Sequence, residues 1–176
     1  ENWAVLGPNG AGKSTLLSLI LADNPQAYAN DITIFGRRRG SGESIWEIKR
    51  EIGWVSPELQ VYYHRETRCR HVICSGFFDS VGLYQTCSPE QAEITEHWLD
   101  ELGLAHLADR PLGTVSVGEQ RLVLLGRALV KAPQIVLADE PTANLDSENG
   151  QAILDLMREM NQRHDTTFLF STHDPM

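Results

Sequence analysis

The eight residues Gly7-Pro8-Asn9-Gly10-Ala11-Gly12-Lys13-Ser14 fit GxxxxGK[ST] at every fixed position, a spacing suited to gripping phosphate. Glycines let the backbone wrap close to the anion, while backbone N–H groups and the positive end of a following helix supply its site. Lys13 adds a point charge for the β- and γ-phosphates of a nucleotide, Ser14 offers a hydroxyl to Mg²⁺, and Thr15 beside it can hydrogen-bond a phosphate oxygen. The plain alternative is a tight glycine turn with a surface lysine, and the strand-then-helix context argues against it. Hydrolysis needs more than a cradle: it needs a metal ligand and a group that activates water. Asp139 and Glu140 end the apolar run Ile135 to Ala138, which places Asp139 at the C-terminal edge of a buried strand, where ligands of parallel sheets bind. There Asp139 can hold Mg²⁺ through water, and Glu140 can orient and deprotonate the attacking water.

These side chains need elements that bring them together. Trp3 to Leu6 is a short apolar strand running into Gly7, and Ser14 to Leu21 begins a helix with apolar residues on more than one face. Ile32 to Phe35 and Ile52 to Val55 are rich in β-formers, with Ile45 to Lys49 a short helical turn between them. Arg37, Arg38 and Arg39 are expected in the connecting loop, as a solvated turn. From Val61 to Thr86 the pattern is mixed. Ser88, Pro89 and Gln91 then form a helix start with N-cap, N1 and N3 filled. Ile94, Trp98, Leu99 and Leu102 follow at helical spacing, and Gly103 ends the element. Ser116 starts a long helix to about Lys131, stopped by Pro133. Ile135 to Ala138 is a buried strand, Ser147 to Met160 an amphipathic helix and Thr166 to Phe170 a further strand. Strands alternating with helices predict an α/β fold, a mainly parallel sheet flanked by helices with right-handed crossovers. Residues 1–176 read as a single domain, with a helical insertion over about 61–115.

With 176 residues, 41% hydrophobic and 22% charged, the chain has the balance of an ordinary globular domain with a sizeable core. Its 15 Lys+Arg against 24 Asp+Glu give a net charge of -9, so no direct nucleic-acid partner is expected and any anion must be held locally. The longest apolar runs fall far short of a membrane span, residues 1–20 lack a signal pattern, and the chain reads as cytosolic. Cys69, Cys74 and Cys87 are odd in number and form no CxxC pair, which suits a reducing compartment better than a disulfide framework. His64, Cys69, His71 and Cys74 crowd one stretch. Their irregular spacing favours a polar loop with a partly buried strand or helix over a zinc site.

Val115-Ser116-Val117-Gly118-Glu119-Gln120-Arg121 precedes the Asp139 strand by one helix, and Pro141-Thr142-Ala143-Asn144-Leu145-Asp146 follows it. Here the sequence resembles the ATP-binding cassette (ABC) ATPases, whose signature has the form LSGGQ and whose Walker B strand runs into DEPTxxLD. P-loop, signature, Walker B, D-loop and the Ser171-Thr172-His173-Asp174 switch segment occur in family order across the whole chain. The resemblance implies ATP and Mg²⁺ as cofactors and ATP hydrolysis with Glu140 as base. It also implies a dimer with a second ABC domain, as a homodimer or a tandem copy, in which Ser116 and Gly118 act in trans on the γ-phosphate. The capping box that Ser116 and Glu119 can form agrees, since it leaves a positive helix end there. By the same resemblance His173 is the switch histidine, Asp146 the D-loop aspartate that links the two sites, and a transmembrane permease the partner at the cytosolic face of the membrane.

Three positions depart from the family pattern. Val117 stands for the first signature glycine, Glu119 for its glutamine, and Pro57, in Ile52-Gly53-Trp54-Val55-Ser56-Pro57-Glu58, occupies the Q-loop slot, with Gln60 a few residues on. The segment from Ile52 through Tyr84 is similar to tandem ABC proteins related to molybdate transport and photorepair. The later segment is similar to lipoprotein-release and macrolide-type exporter ATPases. The tandem resemblance carries an alternative function, a soluble ATP-driven switch in a nucleic-acid or ribosome-associated process. A complete cassette of this family also carries strands ahead of the P-loop, including an aromatic that stacks on adenine, and more chain after the switch histidine. The sequence is therefore expected to lack both ends and the adenine platform, since Trp3 lies on the P-loop strand itself, and to bind ATP more weakly than an extended chain.

Overall fold

Val136, Leu137 and Ala138 are all buried, although successive residues of a strand face opposite ways. The strand they form, β5 (Ile135–Asp139), is therefore covered on both sides. The computed structural model describes residues 2–21, 23–40, 42, 44–143, 145 and 147–172, without the side chains of 147–149. Strands β1 (Asn2–Leu6), β4 (Ile52–Val55) and β6 (Thr167–Thr172) join β5 in the order β1-β6-β5-β4, every neighbouring pair parallel. On one face Val136, Ala138, Phe168 and Phe170 enter a large core with residues of α4 (Cys69–Cys74), α5 (Pro89–Glu101), α6 (Val117–Leu129) and α7 (Ser147–His164). On the other face Ile52 and Leu137 pack with Leu17 of α1 (Lys13–Ile20) and Ile48 of α2 (Ile45–Arg50). This is the α/β architecture that the alternating pattern predicts.

Element ends follow local chemistry. Ser44, Ser88 and Ser116 each close a capping box, with Glu47, Gln91 and Glu119 returning to the cap. Gly103, at φ 69°, follows the last turn of α5. Some boundaries move: α6 ends at Leu129 rather than near Lys131, α7 runs on to His164, and β6 reaches Thr172 rather than stopping at Phe170. Between β4 and α6 the chain is helical, through α3 (Leu59–Tyr62), α4, α5 and three 3-10 turns.

Three expectations change. The Ile32 to Phe35 strand is shorter, and it lies outside the main sheet: β2 (Thr33–Ile34) pairs antiparallel with β3 (Arg37–Arg38). The turn residues Phe35 and Gly36 both have positive φ, 51° and 73°, the backbone twist that closes a two-residue hairpin. Arg39 is not part of a solvated turn. It is buried and donates from Nη2 to the Ile20 carbonyl at 2.5 Å, which ties the hairpin to the end of α1. Lastly, Cys74 and Cys87 are joined in a disulfide, with Cα atoms 6.8 Å apart. Cys74 ends α4 and Cys87 immediately precedes the Ser88 cap of α5, a proximity that depends on the path of the intervening chain.

Polar contacts that are buried or partly buried fasten α6 and the turn after it to the helical segment and to α2. Arg127 donates from Nε to the Tyr63 hydroxyl at 2.6 Å and from Nη2 to the Ser80 carbonyl at 3.1 Å. Lys131 donates to the Lys49 carbonyl at 2.5 Å and to the Asp79 carboxylate. Burial lowers the Lys131 pKa against the opposing pull of Asp79. Backbone packing is equally close: a Cβ at Gly53 of β4 would lie 2.7 Å from the Ala128 carbonyl oxygen of α6. Gly53→Ala is expected to destabilise the protein by roughly 1–3 kcal/mol through overpacking, read as a lower urea midpoint, and an unchanged midpoint contradicts this packing.

Candidate functional site

The P-loop connects β1 to α1. Gly10 and Gly12 adopt φ of 83° and 88°, a left-handed backbone open to glycine at no steric cost. Gly12 is the N-cap of α1 and provides no side-chain acceptor, so the leading amides of the helix are presented to the loop. Ala11 N–H donates to the Pro8 carbonyl at 3.1 Å and tightens the turn. Lys13 is buried, and its ammonium donates to the carbonyls of Gly7 at 2.7 Å and Pro8 at 3.2 Å. Pro8, Asn9, Ser14 and Thr15 are exposed around it.

Two strands away, Asp139 ends β5 and Glu140 begins the turn after it. Glu140 has φ of 44°, a conformation that costs a residue with a side chain roughly 1–3 kcal/mol. Its carbonyl accepts from Ala143 N–H at 3.0 Å. Ser171 of β6 meets both carboxylate residues. Its hydroxyl donates to Asp139 Oδ1 at 2.5 Å and accepts from Glu140 N–H at 3.0 Å. In the sequence Ser171 is a member of the switch segment with no role of its own. No local pattern marks it, since the in-register pairing of Asp139 with Ser171 is made only when β5 and β6 meet.

The register also aligns the strand ends. Leu6 pairs with Thr172 and Val5 with Ser171, while Ser171 pairs with Asp139. The P-loop and the Asp139–Glu140 turn therefore leave the same edge of the sheet on either side of β6, about 10 Å apart at ordinary strand spacing. Hydroxyl and carboxylate oxygens on one edge, from Ser14 and Asp139, are hard donors of the kind that suit Mg²⁺.

The signature segment opens α6. Ser116 Oγ accepts from Glu119 N–H at 3.3 Å, and Glu119 Oε2 accepts from Ser116 N–H at 2.6 Å. The Ser116 backbone and hydroxyl hold the Glu119 carboxyl below the usual carboxylate range, so the charge that replaces the family glutamine is engaged by its own helix cap. Gly118 is half-buried and Val117 exposed. Arg121, on the same helix, is buried, lowered in pKa by that burial, and within 3.5 Å of the Ala143 carbonyl just after the Glu140 turn. In the Q-loop slot Pro57 follows a buried Ser56, whose hydroxyl accepts from Glu58 N–H at 3.2 Å. Gln60 lines a cavity with Tyr63, Arg65 and Gln120 on the side of the helical segment. Asp146 and His173 lie outside the described residues. In the His64 to Cys74 stretch, Cys74 is bonded to Cys87 and Cys69 is buried, its thiol pushed up to about 11. Among the described residues no group of three or more His, Cys, Asp or Glu could hold a metal ion.

Known proteins are similar to this chain in sequence and in fold. A family profile described as ABC transporter matches residues 1–143. The ABC transporter ATP-binding protein ModF of Escherichia coli (strain K12) is 50% identical over 174 residues, covering 98% of this chain and 36% of ModF. The lipoprotein-releasing system ATP-binding protein LolD of Anaeromyxobacter dehalogenans (strain 2CP-C) is 36% identical over 186 residues, covering 99% of this chain and 72% of LolD. CbiO1 from Clostridium perfringens, part of the ABC transporter complex CbiONQ, superposes with a TM-score of 0.82 at 26% identity, covering 99% of this chain and 67% of CbiO1. The chain thus spans little more than a third of ModF.

The cap geometry sets a measurable pH response. Ser116→Ala is expected to cost about 1 kcal/mol of stability at pH 7, seen in the urea midpoint. The stabilisation contributed by the lowered Glu119 pKa is present above about pH 4.3, its unfolded value, and is lost as pH falls through the folded value. The stability gap between wild type and Glu119→Gln should therefore change between pH 6 and pH 3, and a constant gap contradicts an engaged carboxylate.

Proposed function

Because the chain belongs to the ABC transporter family as an ATP-binding domain, we propose that it binds MgATP, pairs with a second such domain, and hydrolyses ATP to drive a membrane transporter. The observation that carries this reading is the shared edge of the parallel sheet, from which the phosphate loop and the Asp139–Glu140 turn emerge with β6 between them.

Each residue then has a task. The amides of Gly10 to Thr15 and the N-terminus of α1 hold the phosphates, and Lys13 turns from its own loop carbonyls to the β- and γ-phosphate oxygens. Ser14 and Asp139 would hold Mg²⁺, which neutralises charge on those oxygens. Glu140 takes the proton of the attacking water, and His173 contacts the γ-phosphate beside it. The second domain supplies Ser116 and Gly118 at the head of its α6, while Asp146 links the two sites. LolD and CbiO1 are named as parts of a lipoprotein-releasing system and a transporter complex. By analogy the partner here is a permease, with this domain on the cytosolic face of the membrane. Among the described residues no helix is long and apolar enough to cross a membrane.

A second reading places both ATP-binding domains in one polypeptide that acts as a soluble switch. It is favoured by the 50% identity to ModF, of which the chain spans only 36%, and by Pro57 in the Q-loop slot. A second P-loop in the full reading frame selects this version, and an adjacent permease gene selects the first.

Glu140→Gln is expected to lower ATP turnover by about 10²–10⁴-fold while ATP still binds, measured by phosphate release and by nucleotide titration. Unchanged turnover overturns the assignment of Glu140.

A further inference from the structure

We infer that Ser171 is the positioning residue that holds the metal-end carboxylate Asp139 and the base Glu140 in one fixed relation. This rests on the ATP-hydrolysis reading above and adds to it a role for a hydroxyl that does not touch the nucleotide.

The polarity of the contact is forced. An amide N–H can only donate, so Ser171 Oγ accepts from Glu140 at 3.0 Å, and its single proton goes to Asp139 Oδ1 at 2.5 Å. The second distance is at the short end expected for a hydroxyl on an ionised carboxylate. Ser171 is fully buried, so water does not compete for either bond. On the Asp139 side, the hydroxyl fixes the carboxylate rotamer and leaves Oδ2 as the oxygen for a hydrated cation. On the Glu140 side, it anchors the amide of a residue at φ 44°, a backbone state that persists only where the surroundings over-determine it. The two bonds also polarise one another. Ser171 can do this because β6 lies between β1 and β5.

The test compares Ser171→Ala and Ser171→Thr with wild type. For Ser171→Ala we expect the Glu140 amide to exchange hydrogen about 10-fold faster or more, measured by NMR or by mass spectrometry of the 138–143 segment. We also expect kcat to fall about 10- to 100-fold, with KM for ATP within about 3-fold and a raised Mg²⁺ requirement. Ser171→Thr keeps the hydroxyl and should recover most of both effects; if it fails to fold, the alanine exchange rate decides. Wild-type exchange at Glu140 in Ser171→Ala overturns the inference whether or not the protein turns over ATP. Wild-type kcat in Ser171→Ala alongside a dead Glu140→Gln overturns it while leaving the hydrolysis reading intact. A loss that falls on KM alone also overturns it.

Discussion

Strands β1, β6 and β5 run parallel and end in nearly the same register row, and the candidate chemistry depends on that alignment. A parallel sheet carries all of its strand C-termini to one edge, so the loops that follow converge without any long excursion of the chain. Here the loops are the glycine cradle of residues 7–12 and the Asp139–Glu140 turn, with the end of β6 at Thr172 between them. Parallel pairing also demands cover on both faces. The two hydrophobic clusters meet that demand: α1 and α2 lie on one side, α6 and α7 with the helical segment on the other. The packing that stabilises the sheet thus also fixes where α1 and α6 begin.

Helix α6 is the second fixed part of the molecule. Its N-terminus presents Ser116 and Gly118, and its body is almost wholly buried. Gly53 lets its backbone approach β4, while Arg127 and Lys131 tie it to Tyr63, Ser80 and Asp79. Displacement of the helical segment would leave the buried Arg127 guanidinium and the Lys131 ammonium without these partners, which is costly for a buried charge.

The departures from the family pattern have local physical accounts. Glu119 puts a negative charge at the head of α6, yet its carboxylate is drawn back onto the Ser116 amide while its own N–H donates to the Ser116 hydroxyl. Pro57 removes a side-chain amide from the Q-loop slot, and the neighbouring Ser56 hydroxyl is engaged with the Glu58 amide. The net charge of -9 is compatible with anion binding because the P-loop supplies its field from aligned amides and one buried lysine over a few ångströms, where the bulk charge matters least.

Much of this was legible in residue order. GxxxxGK[ST] needs a strand, a glycine turn and a helix, and the serine caps with Glu or Gln at N3 are purely local, so P-loop, α5 and α6 starts could be read from sequence. The apolar run before Asp139 likewise marked a strand buried on both faces. Other features depend on distant parts of the chain meeting. Ser171 pairs with Asp139 across a separation of 32 residues, Arg39 is buried against the end of α1 rather than solvated, and Cys74 meets Cys87 only because the chain between them doubles back. Sequence alone determined which groups could bind phosphate, coordinate a cation and activate water, because those capacities reside in residue type and short-range spacing. Only tertiary structure decided that one serine hydroxyl joins two of them, because strand register is set by the burial of whole faces and not by any local pattern.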